Sequence, residues 1–152
     1  MAEKADAVCF GSLAQRNEIS RQTIRKFINL TKGLRIFDVN LRQKYFSPEI
    51  LDESFNLANI VKLNHEELPI IAEILEIKGD NQIEIAKTLR EKFQLKLICV
   101  TRGSNGSLLI TEDEMSENAG LKIKVKDTIG AGDSFTAGMT HHTADMPGSF
   151  TR

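Results

Sequence analysis

The sequence predicts an α/β domain of three layers, helix, sheet and helix, built on a largely parallel sheet. Short apolar runs of four to six residues alternate with longer stretches whose apolar positions recur three and four residues apart, the rhythm of strand–helix–strand crossovers. The 152 residues are enough for one sizeable core, and 41% hydrophobic with 27% charged residues is the composition of an ordinary folded domain. A cluster of small residues, Gly130, Ala131 and Gly132, separates the last expected strand from the last expected helix. In such sheets ligands bind at the carboxyl ends of the strands, where a turn of this kind would lie.

The elements follow in order. Residues 7–10 form an apolar run closed by Gly11, and Ser20 opens a helix carrying Ile24, Phe27 and Ile28 that Gly33 ends. Residues 34–39 are the second strand, followed by a polar turn over 40–47. Ser47 and Pro48 are a cap and first-turn pair for a helix with Ile50, Leu51, Leu57 and Ala58. Residues 60–63 are the third strand. Asn64 starts a helix whose apolar face holds Leu68, Ile71, Ile74 and Leu75, and Gly79-Asp80 breaks it. Asp80 or Asn81 caps the next helix, with Ile83, Ile85, Leu89 and Phe93 for burial. Strand 96–101, a glycine-containing turn over 102–106 and a returning strand 107–111 come next. Residues 112–120 read as a polar loop, and 121–126 alternate apolar and basic residues as a half-exposed strand does. The last helix runs from Ala131 to about Thr143, and residues 144–152 are expected to fray. No repeat or linker divides residues 1–152, so a single domain, or part of one, is expected.

Several function classes are disfavoured. Twenty basic against 21 acidic residues give a net charge of −1, without the footprint of a nucleic-acid binder. No apolar run approaches the roughly 20 residues that span a bilayer, and the first residues lack a signal peptide's basic and apolar regions. Cys9 and Cys99 lie in strand-like runs and are expected as buried, reduced thiols, consistent with a cytoplasmic location. His141 and His142 are neighbours, about 100° apart on a helix, and do not form the i, i+4 pair of a metal site.

The chemistry is concentrated in Asp127-Thr-Ile-Gly-Ala-Gly-Asp-Ser-Phe135. Small residues let a backbone approach a ligand closely, and a helix start leaves about four N–H groups unpaired. With the positive end of the helix dipole at the same place, Gly130, Ala131 and Gly132 are candidates for a phosphate-binding anion hole. Asp133 stands in the first helical turn, where a carboxylate can reach both the anion and an attacking hydroxyl, which is the pairing that phosphoryl transfer needs. A tight strand-to-helix turn with a dipole-favoured aspartate would account for the glycines alone.

The full nine-residue string resembles the second signature of the ribokinase-like sugar kinases, the PfkB family, written D-T-x-G-A-G-D-x-F, at every fixed position. The resemblance implies a Rossmann-like ribokinase fold, ATP with Mg2+ as cofactors and a small-molecule sugar as acceptor. It assigns Asp133 as catalytic base and the amides around Gly130, Ala131 and Gly132 as the anion hole, and it places Asp127 near a monovalent cation such as K+. Asn64-His-Glu-Glu67 matches the family's N-x-x-E motif, which helps hold magnesium and phosphate largely through water, although Asn with Glu three residues on is also a capping box. Asp38-Val-Asn-Leu-Arg42 resembles the D-x-N-x-R turn of fructokinase-like members. There Arg42 meets phosphate or substrate, or else simply pairs with Asp38. Thr101, Gly103 and Gly106 resemble the T-x-G-x-x-G turn that lies against the nucleotide.

Measured against that family, the chain corresponds to a second half only. The amino-terminal part that supplies most of the sugar pocket, and the lid through which members often dimerise, has no counterpart here, nor do the carboxyl-terminal helices. The expected function is therefore ATP-dependent phosphorylation of a sugar, of fructokinase or ribokinase type, with little activity from this chain alone. One alternative is a non-enzymatic nucleotide-binding remnant or truncated gene product. A Rossmann-type oxidoreductase fits less well, because Phe135 stands where the third small residue of that fingerprint belongs.

Overall fold

The first four strands are five-residue apolar runs, each followed by a helix-starting or turn signal. A computed structural model describes residues 1–43, 45–120 and 131–144. The elements are β1 (Ala7–Gly11), α1 (Glu18–Leu30), β2 (Leu34–Asp38), α2 (Pro48–Leu57), β3 (Ile60–Asn64), α3 (Glu67–Ile74), α4 (Gln82–Lys92), β4 (Leu97–Thr101), β5 (Ser107–Ile110), β6 (Met115–Asn118) and α5 (Ala131–Ala144). The six strands form one sheet in chain order, with β1 to β4 parallel and β5 and β6 antiparallel. The sheet is thus mixed, because β4, β5 and β6 are joined by turns too short for a crossover.

Chain order decides which helices lie where. Parallel crossovers are right-handed, and steps that all move the same way across a sheet leave their helices on the same face. Accordingly Ile28 of α1, Leu51 and Phe55 of α2, Leu68 and Ile71 of α3, and Ala86 and Leu89 of α4 share one buried cluster with Phe37, Val61 and Val100 of the sheet. Leu34, Ile36, Ile60, Leu97 and Cys99 point to the other face, where Phe135 of α5 packs against them. Burial on both faces explains why β4, and β3 apart from Lys62, read as apolar runs rather than alternating ones.

Local chemistry sets the helix starts. Asn17 accepts the N–H groups of Ile19 and Ser20, so α1 opens at Glu18, before the expected Ser20. Ser47 caps α2 with Pro48 in its first turn, and Asn81 caps α4 while Glu84 returns a bond to the Asp80 N–H. Two expectations are corrected. The stretch taken as a loop over 112–120 contains β6, whose four residues are all exposed and so carry no alternation to read. Cys9 is exposed on β1, the outermost strand among the described residues, whereas Cys99 is buried in central β4, where burial pushes its thiol up to about 12. No helix among the described residues is long and apolar enough to cross a membrane.

The aromatic centre of the larger cluster is Phe55, fully buried, with ring centroids 5.6 Å from Phe37 and 4.9 Å from Phe93. Phe55→Ala is expected to cost about 3–5 kcal/mol through lost burial and a residual cavity. The check is a lowered urea midpoint with an unchanged slope.

Candidate active site

Parallel pairing brings three strand ends to one edge: Asp38 closes β2, Asn64 closes β3 and Thr101 closes β4. Asp38 lies opposite Lys62 and Asn64 opposite Thr101 in the register. Helix α5 opens at Ala131, so the N–H groups of Ala131, Gly132 and Asp133 have no acceptor four residues earlier within the helix. Asp133 sits in that first turn and is exposed, directed away from the packed face of the helix. A turned-in Asp133 would have ended its candidacy as a base. Asp127 and Gly130, the latter one of the three anion-hole residues, lie outside the described residues, as do the expected strand 121–126 and residues 145–152.

Beneath the α5 start lies a group of side chains that the sequence motifs do not mark. Lys62 Nζ donates to Asp38 Oδ1 at 3.0 Å and to Oδ2 at 2.9 Å. The pair is largely buried, its side chains 9% and 14% exposed. Thr136 Oγ1 donates to Asp38 Oδ2 at 3.0 Å from the helix above. Asp38 therefore pairs with Lys62, and not with Arg42, whose side chain is exposed on the following turn. The sequence signal for Lys62 was a lysine inside the apolar run of a central strand, where an unpaired charge would be too costly to bury.

The N-x-x-E residues are committed to the backbone. Asn64 Oδ1 accepts the N–H groups of Glu66 and Glu67 at 2.8 and 2.9 Å. The Glu67 carboxylate accepts the Asn64 N–H at 2.9 Å and the Leu41 N–H at 2.7 Å. This is a capping box extended by one bond, and that bond fixes the turn carrying Arg42 to the head of α3. Glu67 is 7% exposed, and burial pushes its carboxyl up against the two N–H bonds that pull it down. Among the described residues no cluster of His, Cys, Asp and Glu could enclose a metal ion. Asn64 and Glu67 thus fit an ion held through water and phosphate oxygens better than one ligated directly by the protein.

The fourth predicted motif, at Thr101, Gly103 and Gly106, has a structural explanation. Gly103 and Gly106 adopt positive φ, 57° and 86°, in the hairpin between β4 and β5, and a Cβ on Gly106 would run into the Asn118 carbonyl. Thr101 ends β4, and its carbonyl accepts the His65 N–H at 2.9 Å, tying the β3 and β4 ends together. Arg102 reaches Glu117 of β6 at 3.1 Å. A cavity of about 450 Å3 opens at the end of β1, lined among others by Ser12, Arg16, Asn17 and Asn40, and none of the described signature residues lines it.

An α/β sheet with this strand order, and with a helix start at the carboxyl edge of its parallel strands, defines a ribokinase-like fold. Residues 2–148 match the pfkB family of carbohydrate kinases, and the chain belongs to that family. A fructokinase of Salmonella typhimurium is 32% identical over 136 residues, which are 84% of this chain and 43% of that protein. A double mutant of the Vibrio cholerae fructokinase, solved with fructose, ADP and potassium bound, superposes with a TM-score of 0.80 at 27% identity, covering 96% of this chain and 48% of that one. Aminoimidazole riboside kinase of Salmonella enterica, bound to aminoimidazole riboside and an ATP analogue, gives 0.75 at 25% identity, covering 92% and 48%. The chain therefore spans less than half the length of each of these relatives.

Glu67 generates a prediction with a defined sign. Glutamine keeps one acceptor oxygen, so Glu67→Gln leaves the Leu41 or the Asn64 N–H unpaired at a cost of about 1–3 kcal/mol. A folded-state pKa above the unfolded one makes the glutamate's contribution full below the ordinary carboxylate range, near about 4.3, and progressively lost as pH rises through the raised value. The deficit of the variant should therefore be largest in acid and narrow toward neutrality, as read from urea unfolding at a series of pH values.

Proposed function

We propose that this chain is the catalytic-loop portion of an ATP-dependent kinase that phosphorylates a sugar hydroxyl, and that residues 1–152 correspond to the second half of such an enzyme. The observation that carries this reading is the exposed carboxylate of Asp133 in the first turn of a helix that starts at the carboxyl edge of the parallel strands. The nine-residue signature around it and the sugar kinases among its relatives support it.

In this mechanism the amides of Gly130, Ala131, Gly132 and Asp133 hold the phosphoryl group and take up the charge that develops on it. Asp133 accepts the proton of the sugar hydroxyl as its oxygen bonds to the γ-phosphorus. The bond from that phosphorus to the bridging oxygen breaks, and ADP leaves with the bridging electrons. Magnesium, bound to the nucleotide, would supply charge neutralisation. Asn64 and Glu67 would order the water around it, and Arg42 would meet phosphate or substrate from the adjoining turn. Thr101, Gly103 and Gly106 would border the nucleotide, and Asp127 would stand near a K+ ion, an assignment favoured by the potassium in the Vibrio cholerae relative. Fructose is the preferred acceptor on the same ground, with a cytoplasmic site of action.

The chain alone is proposed to turn over little substrate. Asp133 is exposed, and the relatives are more than twice as long as the region matched. Orientation and exclusion of water contribute about 7–11 kcal/mol to such reactions, enough to silence an intact base. The second reading is a nucleotide-binding remnant without catalysis.

The test is ADP release with ATP, magnesium and a panel of ketoses and aldoses. Sugar-dependent release is expected when this chain is joined to the preceding half of a kinase, and Asp133→Asn should lower it by about 10²–10⁴. Sugar-dependent release from the 152-residue chain by itself would overturn its proposed inactivity, and an Asp133→Asn variant of undiminished rate would remove Asp133 as the base. Binding of MgADP with no turnover in any form would favour the remnant.

A further inference from the structure

We propose that the buried Lys62–Asp38 ion pair is the dock that sets the height and rotation of the first turn of α5, and that Gly132 is a glycine in order to admit the Lys62 ammonium beneath that turn. The consequence for catalysis rests on the kinase reading above, but the dock itself does not. Lys62 and Asp38 then act as positioning residues, working through the helix and not on the substrate.

Three contacts carry the inference. Asp38 holds Lys62 Nζ with both carboxylate oxygens, at 3.0 and 2.9 Å, so the ammonium is pinned and not a flexible end. A Cβ placed on Gly132 would lie 3.1 Å from that same Nζ, so the pinned ammonium would have to shift by a few tenths of an ångström against its carboxylate partner. Thr136 Oγ1 lies 3.0 Å from Asp38 Oδ2 and 3.0 Å from the Gly132 carbonyl, bonding the carboxylate to the turn above it. As the ionised carboxylate has no proton to give, the hydroxyl must be the donor in that bond.

The geometry of the helix completes the argument. Residues 132 and 136 are one turn apart on one face, and Phe135, which packs against the apolar cluster of Leu34, Ile36, Ile60, Leu97 and Cys99, shares that face. Contacts at 132, 135 and 136 leave the helix no freedom to roll. Residue 133 lies about 100° around the axis from residue 132, so the same contacts turn Asp133 off the sheet and into solvent. A signature glycine is ordinarily explained by a ligand above it. Here the ammonium below provides a separate reason for the missing side chain. The cluster also joins β2, β3 and α5, with Asp38 and Thr136 98 positions apart in sequence.

The test uses the 152-residue chain and four variants. Thr136→Val removes the helix-side hydroxyl, Thr136→Ser keeps it, Gly132→Ala crowds Lys62, and Lys62→Met leaves Asp38 without its cation. Amide hydrogen exchange at residues 135–138, which bond back to the first turn, is compared with exchange in α4. Exchange at 135–138 should quicken about tenfold or more in Thr136→Val and Gly132→Ala, with α4 unchanged and Thr136→Ser close to the parent. Equal acceleration in α4, or none at 135–138, would overturn the dock, and Thr136→Val decides this even if Lys62→Met does not fold. MgADP affinity, measured on the same proteins, should weaken in step. If exchange responds but no form of the 152-residue chain binds MgADP, the dock stands and its link to nucleotide binding falls, while the kinase reading falls only if Asp133→Asn leaves the joined enzyme's rate undiminished. If MgADP binds equally to all forms, the positioning role is overturned while the kinase reading survives.

Discussion

Four parallel strands laid down in chain order impose the constraint from which the rest of this architecture follows. Right-handed crossovers place α1 to α4 on one face of the sheet, and α5 lies on the other. The division decides where chemistry can occur. The crowded face is filled by Phe37, Phe55, Leu51 and their neighbours, while the face beneath α5 carries Asp38 and Lys62 within its apolar surface. A polar pair is tolerated there because each charge meets the other and Thr136 takes up a further carboxylate bond.

The carboxyl edge of the sheet is held by bonds that cross between motifs. Glu67 accepts the N–H of Leu41 from the β2 turn and of Asn64 from the β3 end, and Thr101 of β4 accepts that of His65. Three strand ends are thereby tied to one another before any ligand is considered. A site built from backbone groups needs such an arrangement, because amides bind an anion only when their directions are fixed in advance.

Much of this was legible in the residues. The strand and helix succession emerged from apolar spacing, and the caps at Ser47 and Asn81 from the side chains that accept helix-start N–H groups. The misreadings have separate causes. β6 has no buried residue and so no alternation to read, Cys9 lies in an apolar run yet is exposed, and α1 starts two residues early because Asn17 caps it ahead of Ser20. Of the motif residues, Asn64 and Glu67 proved to bond as a capping box, and Gly103 and Gly106 sit in turns whose geometry alone calls for glycine.

By itself the sequence determined the order of elements, the family signature at the α5 start and the presence of an acid beside small residues, because these depend on near neighbours along the chain. Only the tertiary structure decided that Asp38 pairs with Lys62, that Thr136 reaches the same carboxylate and that Gly132 faces an ammonium. Those contacts join three segments distant in sequence, and each side chain has an ordinary local explanation until the sheet register and the roll of one helix bring them together.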